Sequence, residues 1–144
     1  MEQIYQTYLN IIKNICTDSN DPVSVTPEQL PALANLAQEH CTVPFVLPCL
    51  RSASVYPSMK HQVKEMMLNY YQIEHFTRTT VSLLRENHID CYLLKGLSLA
   101  DCYPVPEYRK LGDLDLYLAE PEMLSQAHTV LESSGYILQD ELSD

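Results

Sequence analysis

The chain has 144 residues, 46% of them hydrophobic, and a formal net charge of −10 from 9 Lys+Arg against 19 Asp+Glu. That length bounds it to one ordinary domain or a piece of a larger one, with enough apolar residues for a packed core. The few, scattered cations exclude a phosphate-backbone footprint on this chain, because nucleic-acid binders cluster Lys and Arg, and no apolar run approaches the roughly 20 residues of a membrane span.

The opening "MEQIYQTYLN" has neither a basic n-region nor an apolar h-region, so no secretory signal and a cytoplasmic location are expected. Residues 2–16 carry apolar side chains at Ile4, Tyr8, Ile11, Ile12 and Ile15, the spacing of a helix face. "TDSNDP" at 17–22 stops that helix. Five cysteines, Cys16, Cys41, Cys49, Cys91 and Cys102, show no CxxC spacing and fit reduced thiols packed as small hydrophobes.

Thr26-Pro27-Glu28-Gln29 combines an N-cap, a proline at the first helical position and a Gln three residues on, so it reads as a capping-box start. The helix that follows is expected to bury Leu30, Leu33, Ala34, Leu36 and Ala37 and to end near His40. Residues 43–57 hold three prolines and predict short helical pieces. From Ser58 to about Asn87 runs one long amphipathic helix, with Met59, Val63, Met66, Tyr70, Ile73, Thr77, Val81 and Leu84 as its core stripe. Glu74 and Arg78 form a favourable i,i+4 pair.

The character changes after His88. "CYLLKG" at 91–96 predicts a buried strand ended by glycine. "LSLADCY" at 97–103 suits a short helix, and "PVPEY" at 104–108 a loop stiffened by two prolines. "DLDLYL" at 113–118 predicts a second strand. A helix opens at Pro121-Glu122, runs to about Ser133 and is closed by Gly135, and "YILQ" at 136–139 predicts a third strand. The fold class expected is α+β. A helical region over 1–88 packs on a β-α-β-α-β core over 89–144, the two together forming one unit.

Asp113 and Asp115 are the candidate chemistry. Side chains at i and i+2 of a strand share a face, roughly 7 Å apart. The two carboxylates then point together and can meet one cation, while Leu114, Leu116 and Leu118 point into a core. The alternative is structural, with Asp113 capping a turn and Asp115 an exposed strand residue. Acids crowd this end: residues 111–144 carry eight of them and no Lys or Arg. No HExxH, Walker A, GxGxxG or GxSxG pattern is present, which argues against zinc protease, P-loop, dinucleotide and serine hydrolase chemistry.

The segment "LLKGLSLADCYPVPEYRKLGDLDLYL" at 93–118 resembles the nucleotidyltransferase superfamily, which has the DNA polymerase β-like fold. Within it, the segment is similar to a branch of uncharacterised bacterial nucleotidyltransferase-like proteins with LKG, a Tyr-Pro loop and R-x-x-G-D-x-D. The residues that carry the resemblance are Leu94-Lys95-Gly96, Tyr103-Pro104, Arg109, Gly112, Asp113 and Asp115. The β-α-β-α-β core expected above is then a partial core of this nucleotidyltransferase type.

The resemblance implies that Asp113 and Asp115 are catalytic metal ligands for two Mg²⁺ ions, with Mn²⁺ as a substitute, and that the substrate is a nucleoside triphosphate. Gly96 and Ser98 would then shape a phosphate site, with Lys95 and Arg109 as auxiliary cations. Lys95 reaching into solvent and Arg109 pairing with Glu107 or Asp113 are the structural alternatives. Sugar-nucleotide transferases also use a D-x-D, but there an apolar strand precedes the pair, whereas here "EYRKLG" does.

The pattern departs from the superfamily in two places. Leu97 follows Gly96, so the serine comes one position late. The third carboxylate that normally comes from a later strand, close to a His in this branch, has no match, since Asp140 lies too early. The chain is therefore expected to be a fragment or truncated product, or a degenerate member that binds nucleotide or protein without catalysing. The acceptor is unknown; a small molecule or protein is favoured over RNA by the low basic content.

Overall fold

A computed structural model of the chain describes residues 2–19 and 21–137. Helix α1 (Glu2–Cys16) forms on the expected stripe, burying Tyr8 and Ile11. Gln29 Oε1 accepts the Thr26 N–H at 3.0 Å, completing the capping box that opens a 3₁₀ turn at Pro27–Gln29. Helix α2 (Leu30–Glu39) continues from it and buries Leu30, Leu33, Ala34, Leu36 and Ala37, the five expected. The proline-rich stretch yields the short helix α3 (Val43–Val46) and a 3₁₀ turn at Leu47–Leu50. The long helix α4 spans Tyr56–Glu86 and carries the expected Arg78–Glu74 ion pair at 2.8 Å. Among the described residues no helix is long and apolar enough to cross a membrane.

Strands β1 (Cys91–Leu94) and β2 (Asp115–Leu118) follow, joined through 3₁₀ turns at Gly96–Cys102 and Pro106–Tyr108. They pair antiparallel as a two-stranded sheet. A 3₁₀ turn at Pro121–Met123 leads into helix α5 (Leu124–Ser133). The chain is thus α+β, but three expectations are corrected. Asp113 precedes β2 rather than lying within it. The link between the strands holds 3₁₀ turns, not an α-helix. The strand at 91–94 is not buried on both faces, since Tyr92 is 59% and Leu94 45% exposed. The third strand expected at 136–139 starts on residues without strand structure, Tyr136 and Ile137; its remainder, like Asp140, lies outside the described residues.

The described residues form two compact units. The first runs to Tyr70 and includes Ala100–Leu111. Here α1, α2, α3 and the start of α4 enclose a core in which Leu33, Ala37, Val46 and Leu50 are fully buried. The Tyr8 hydroxyl hydrogen bonds with Thr42 Oγ1 at 2.7 Å, tying α1 to the turn after α2. Asn69 Nδ2 donates to the Leu111 carbonyl at 2.9 Å, tying α4 to the Ala100–Leu111 segment.

The second unit takes Tyr71–Leu99 and continues from Gly112. Its core joins the end of α4, the sheet and α5 through Leu84, Ile89, Cys91 and Ala127, with Leu116, Leu118 and Leu131 packed around them. Thr80 Oγ1 donates to the Phe76 carbonyl at 2.8 Å and meets the Tyr136 hydroxyl at the same distance. Among the described residues, buried Thr77 Oγ1 has no hydrogen-bond partner.

Four helices end in one device. After α1, α2, α4 and α5 the chain turns through a left-handed residue: Asp18, Cys41, His88 and Gly135, with φ of 49°, 55°, 60° and 90°. In each case the following N–H reaches back five residues to a carbonyl of the last turn. The bonds are Ser19 to Asn14 at 2.8 Å, Thr42 to Ala37 at 2.8 Å, Ile89 to Leu84 at 3.0 Å and Tyr136 to Leu131 at 3.0 Å. This is the Schellman arrangement, which satisfies carbonyls that a helix end leaves open.

A left-handed backbone costs a residue with a Cβ roughly 1–2 kcal/mol, and the His88 side chain is exposed. His88→Gly is therefore expected to raise stability by up to about 1 kcal/mol in urea denaturation; an unchanged or lower midpoint would contradict the strain. Leu50→Ala removes a fully buried side chain from the first unit and is expected to cost about 2–5 kcal/mol in the same measurement.

Candidate functional site

The sheet register builds the site in the second unit. Cys91 faces Leu118, Tyr92 faces Tyr117, Leu93 faces Leu116 and Leu94 faces Asp115. Residues directly opposite share a sheet face, and faces alternate along a strand. Cys91, Leu116 and Leu118 pack into the core, which leaves Tyr92, Leu94, Asp115 and Tyr117 on the outer face. The Tyr92 and Tyr117 rings lie 6.5 Å apart there.

Lys95 and Gly96 follow β1 directly, with φ of 46° and 42°. A non-glycine residue with positive φ is a local strain that marks a site for scrutiny. The turn carries the Lys95 side chain to Asp115, where Nζ meets Oδ2 at 3.1 Å. Both are open to solvent, Lys95 at 73% and Asp115 at 37%. An exposed pair of this kind contributes about 0–1 kcal/mol, so it sets geometry more than stability. The turn is closed by Ser98, whose N–H and hydroxyl both donate to the Lys95 carbonyl, at 2.8 and 2.6 Å.

Asp113 enters through its main chain. Its carbonyl oxygen lies 3.5 Å from the position a Cβ on Gly96 would take. That is ordinary contact, so Gly96 is needed for its backbone angle rather than for space. Lys95, Gly96, Ser98, Asp113 and Asp115 are thus gathered at one end of the two-stranded sheet. Arg109 belongs to the first unit. There its Nη1 donates to the Tyr103 hydroxyl at 3.3 Å, and its guanidinium carbon lies 5.5 Å from the Tyr103 ring centre.

Two aspartates supply hard oxygen donors of the kind Mg²⁺ takes, and one or two carboxylates with substrate phosphates are its usual protein-side set. Asp113 and Asp115 fit that ion in kind. Among the described residues no three His, Cys, Asp or Glu converge on one metal position. The aromatic surroundings of Arg109, with Phe45 stacked on Tyr103 at 6.1 Å and edge-on to Tyr108 at 5.5 Å, were not legible in the motif. Phe45 is 58 positions away in sequence from Tyr103 and reaches it only through the fold.

Compared with known proteins, residues 26–144 match the model of a family described as uncharacterised nucleotidyltransferase. No curated protein and no solved structure matches the chain.

Two glycines separate backbone strain from packing at this site. Gly96→Ala is expected to destabilise by about 1 kcal/mol through its positive φ. Gly112→Ala has open space around it and is expected to shift stability by less than about 0.5 kcal/mol. Equal denaturation midpoints for the two variants would contradict the turn geometry.

Proposed function

Because the chain belongs to the uncharacterised nucleotidyltransferase family, matched over residues 26–144, we propose that it binds a nucleoside triphosphate with Mg²⁺ at Asp113 and Asp115 and transfers the nucleoside monophosphate to an acceptor. The observation that carries this reading is the Lys95–Asp115 contact at 3.1 Å beside the left-handed Lys95-Gly96 turn. A carboxylate, a cation and a glycine turn at one sheet end are the kinds of group that a triphosphate with its metal takes.

In the reaction the acceptor oxygen forms a bond to the α-phosphorus. The bond from that phosphorus to the α,β-bridging oxygen breaks, pyrophosphate leaves with its electron pair, and the acceptor proton passes to solvent. Bound Mg²⁺ supplies neutralisation of the phosphate charge and polarisation of the α-phosphoryl group, and Mn²⁺ can do the same. Asp113 and Asp115 hold the metal through their carboxylate oxygens. Lys95 exchanges its carboxylate partner for a phosphate oxygen, as a compact point charge on a flexible stem can. Gly96 lets the backbone approach the phosphates, and Ser98 holds the turn that presents them. The acceptor is a small molecule or a protein side chain rather than RNA, since a chain of net charge −10 repels a polyanion.

A second reading is a binding module of the same family that does not turn over. It is favoured by Asp115 already carrying a cation of its own, Lys95. Titration calorimetry with Mg²⁺ and each of the four nucleoside triphosphates tests the shared binding step. Wild-type protein is expected to bind, and Asp113→Ala/Asp115→Ala to bind at least tenfold more weakly. Equal binding by the two would sink the site. Pyrophosphate release in the presence of candidate acceptors then separates transfer from binding alone.

A further inference from the structure

The first unit contains a cavity of about 530 Å³ whose lining residues all come from that unit. Small-molecule sites typically occupy about 300–1,000 Å³. One wall is the turn after α2, residues His40, Cys41 and Thr42. It is held from behind, since the Tyr8 ring stacks on His40 at 5.7 Å and its hydroxyl bonds Thr42. The opposite wall is the loop from Cys102 to Lys110, stiffened by Pro104 and Pro106. Phe45 joins the walls through its ring contacts with Tyr103 and Tyr108.

The chemistry of the lining is specific. Three aromatic rings, Phe45, Tyr103 and Tyr108, share it with two adjacent cations, Arg109 and Lys110. Among the described residues no Asp or Glu lines the cavity, although acids outnumber bases by about two to one along the chain. Arg109 is already oriented, stacked against Tyr103 and bonded to its hydroxyl. A planar guanidinium is the kind of group that meets a carboxylate or phosphate. Aromatic walls favour flat unsaturated rings by offset or edge-on contact. Walls fixed by ring contacts and prolines lower the ordering cost of binding.

We propose that this cavity binds a small planar aromatic anion, a flat ring carrying a carboxylate or phosphate, with the ring packed against the Phe45, Tyr103 and Tyr108 cluster and the anionic group on Arg109 and Lys110. A free aromatic acid and a nucleoside monophosphate present the same chemistry, and the probes distinguish them.

The test is titration calorimetry of the full chain in EDTA, which removes metal-dependent binding at Asp113 and Asp115 from the readout. The probes are 4-hydroxybenzoate, phenyl phosphate and AMP; the controls are phenol, which lacks the charge, and cyclohexanecarboxylate, which lacks the flat ring. At least one probe is expected to bind ten times more tightly than both controls, and the tightest probe identifies the source. Arg109→Met is expected to weaken that probe at least tenfold. Lys110→Gln, at an exposed position, is expected to weaken it about threefold without a change in melting temperature. Cys16 and Cys102 are exposed and line the cavity, so the bound probe is expected to slow their alkylation. Cys49, whose thiol burial pushes up in pKa, does not line it and serves as the internal reference. Controls that bind as well as the probes, Lys110→Gln binding that equals wild type, or unprotected Cys16 and Cys102 would each overturn the proposal.

Discussion

Four residue pairs fix the candidate site. The register of β1 against β2 sets Leu94 opposite Asp115 and thereby decides which way every side chain of both strands points. A slip by one residue would turn Asp115 into the core and Leu116 out to solvent. A two-stranded sheet is marginal by itself, so the register is held from below. Cys91, Leu116 and Leu118 pack with Leu84 and Ile89 of the α4 end and with Ala127 of α5. Burial drives the Cys91 thiol up in pKa, aided by Asp90 and opposed by Arg85, so at neutral pH the residue stays a thiol and behaves as a small hydrophobe. The chemistry on the outer face rests on the apolar contacts of the inner one.

The same burial explains why the helices and their ends were easy to read, to within about one residue, while the device that closes each end was not. The stripes of α1, α2 and α4 follow from spacing alone, because a helix must bury one face. The ends depend on a left-handed residue, and only Gly135 announces that conformation by its identity. Asp18, Cys41 and His88 adopt it because the next residue, once it folds back, closes a hydrogen bond to the helix. Ile89 shows the reason at α4. Its N–H caps the Leu84 carbonyl while its side chain is fully buried beside Leu84. Hydrophobic burial one residue later offsets the strain one residue earlier, and local composition does not carry that information.

At the candidate site, the sequence was clearest where contacts are local along the chain. Lys95, Gly96 and Ser98 lie within four positions, and their turn is closed by their own backbone. Asp115 was legible as a strand residue because Leu116 and Leu118 alternate with it. Asp113 was read into the same strand, but the ladder begins only at Asp115, because a period-two pattern does not reveal where pairing starts. Arg109 was read as an auxiliary of the aspartates because it opens the R-x-x-G-D-x-D pattern that carries the resemblance. Its contacts with Tyr103 follow from the 3₁₀ turn at Pro106–Tyr108. Proline fixes φ but not the direction in which the following side chain leaves.

Charge then separates two kinds of cation on an acidic chain. Lys95 sits on a flexible four-carbon stem, exposed, beside a carboxylate it can leave at little cost. Arg109 is held by a ring and a hydroxyl among aromatic neighbours. A mobile cation suits a charge that arrives with its own metal and departs as pyrophosphate, because the pairing must be exchanged in each cycle. A fixed cation suits a ligand that is recognised by shape, because the fork must already point at the anion. Interchanging Lys95 and Arg109 would therefore conserve net charge and still exchange these two properties, leaving a rigid cation where the proposed transfer exchanges partners and a flexible one where the proposed ligand needs a fixed fork.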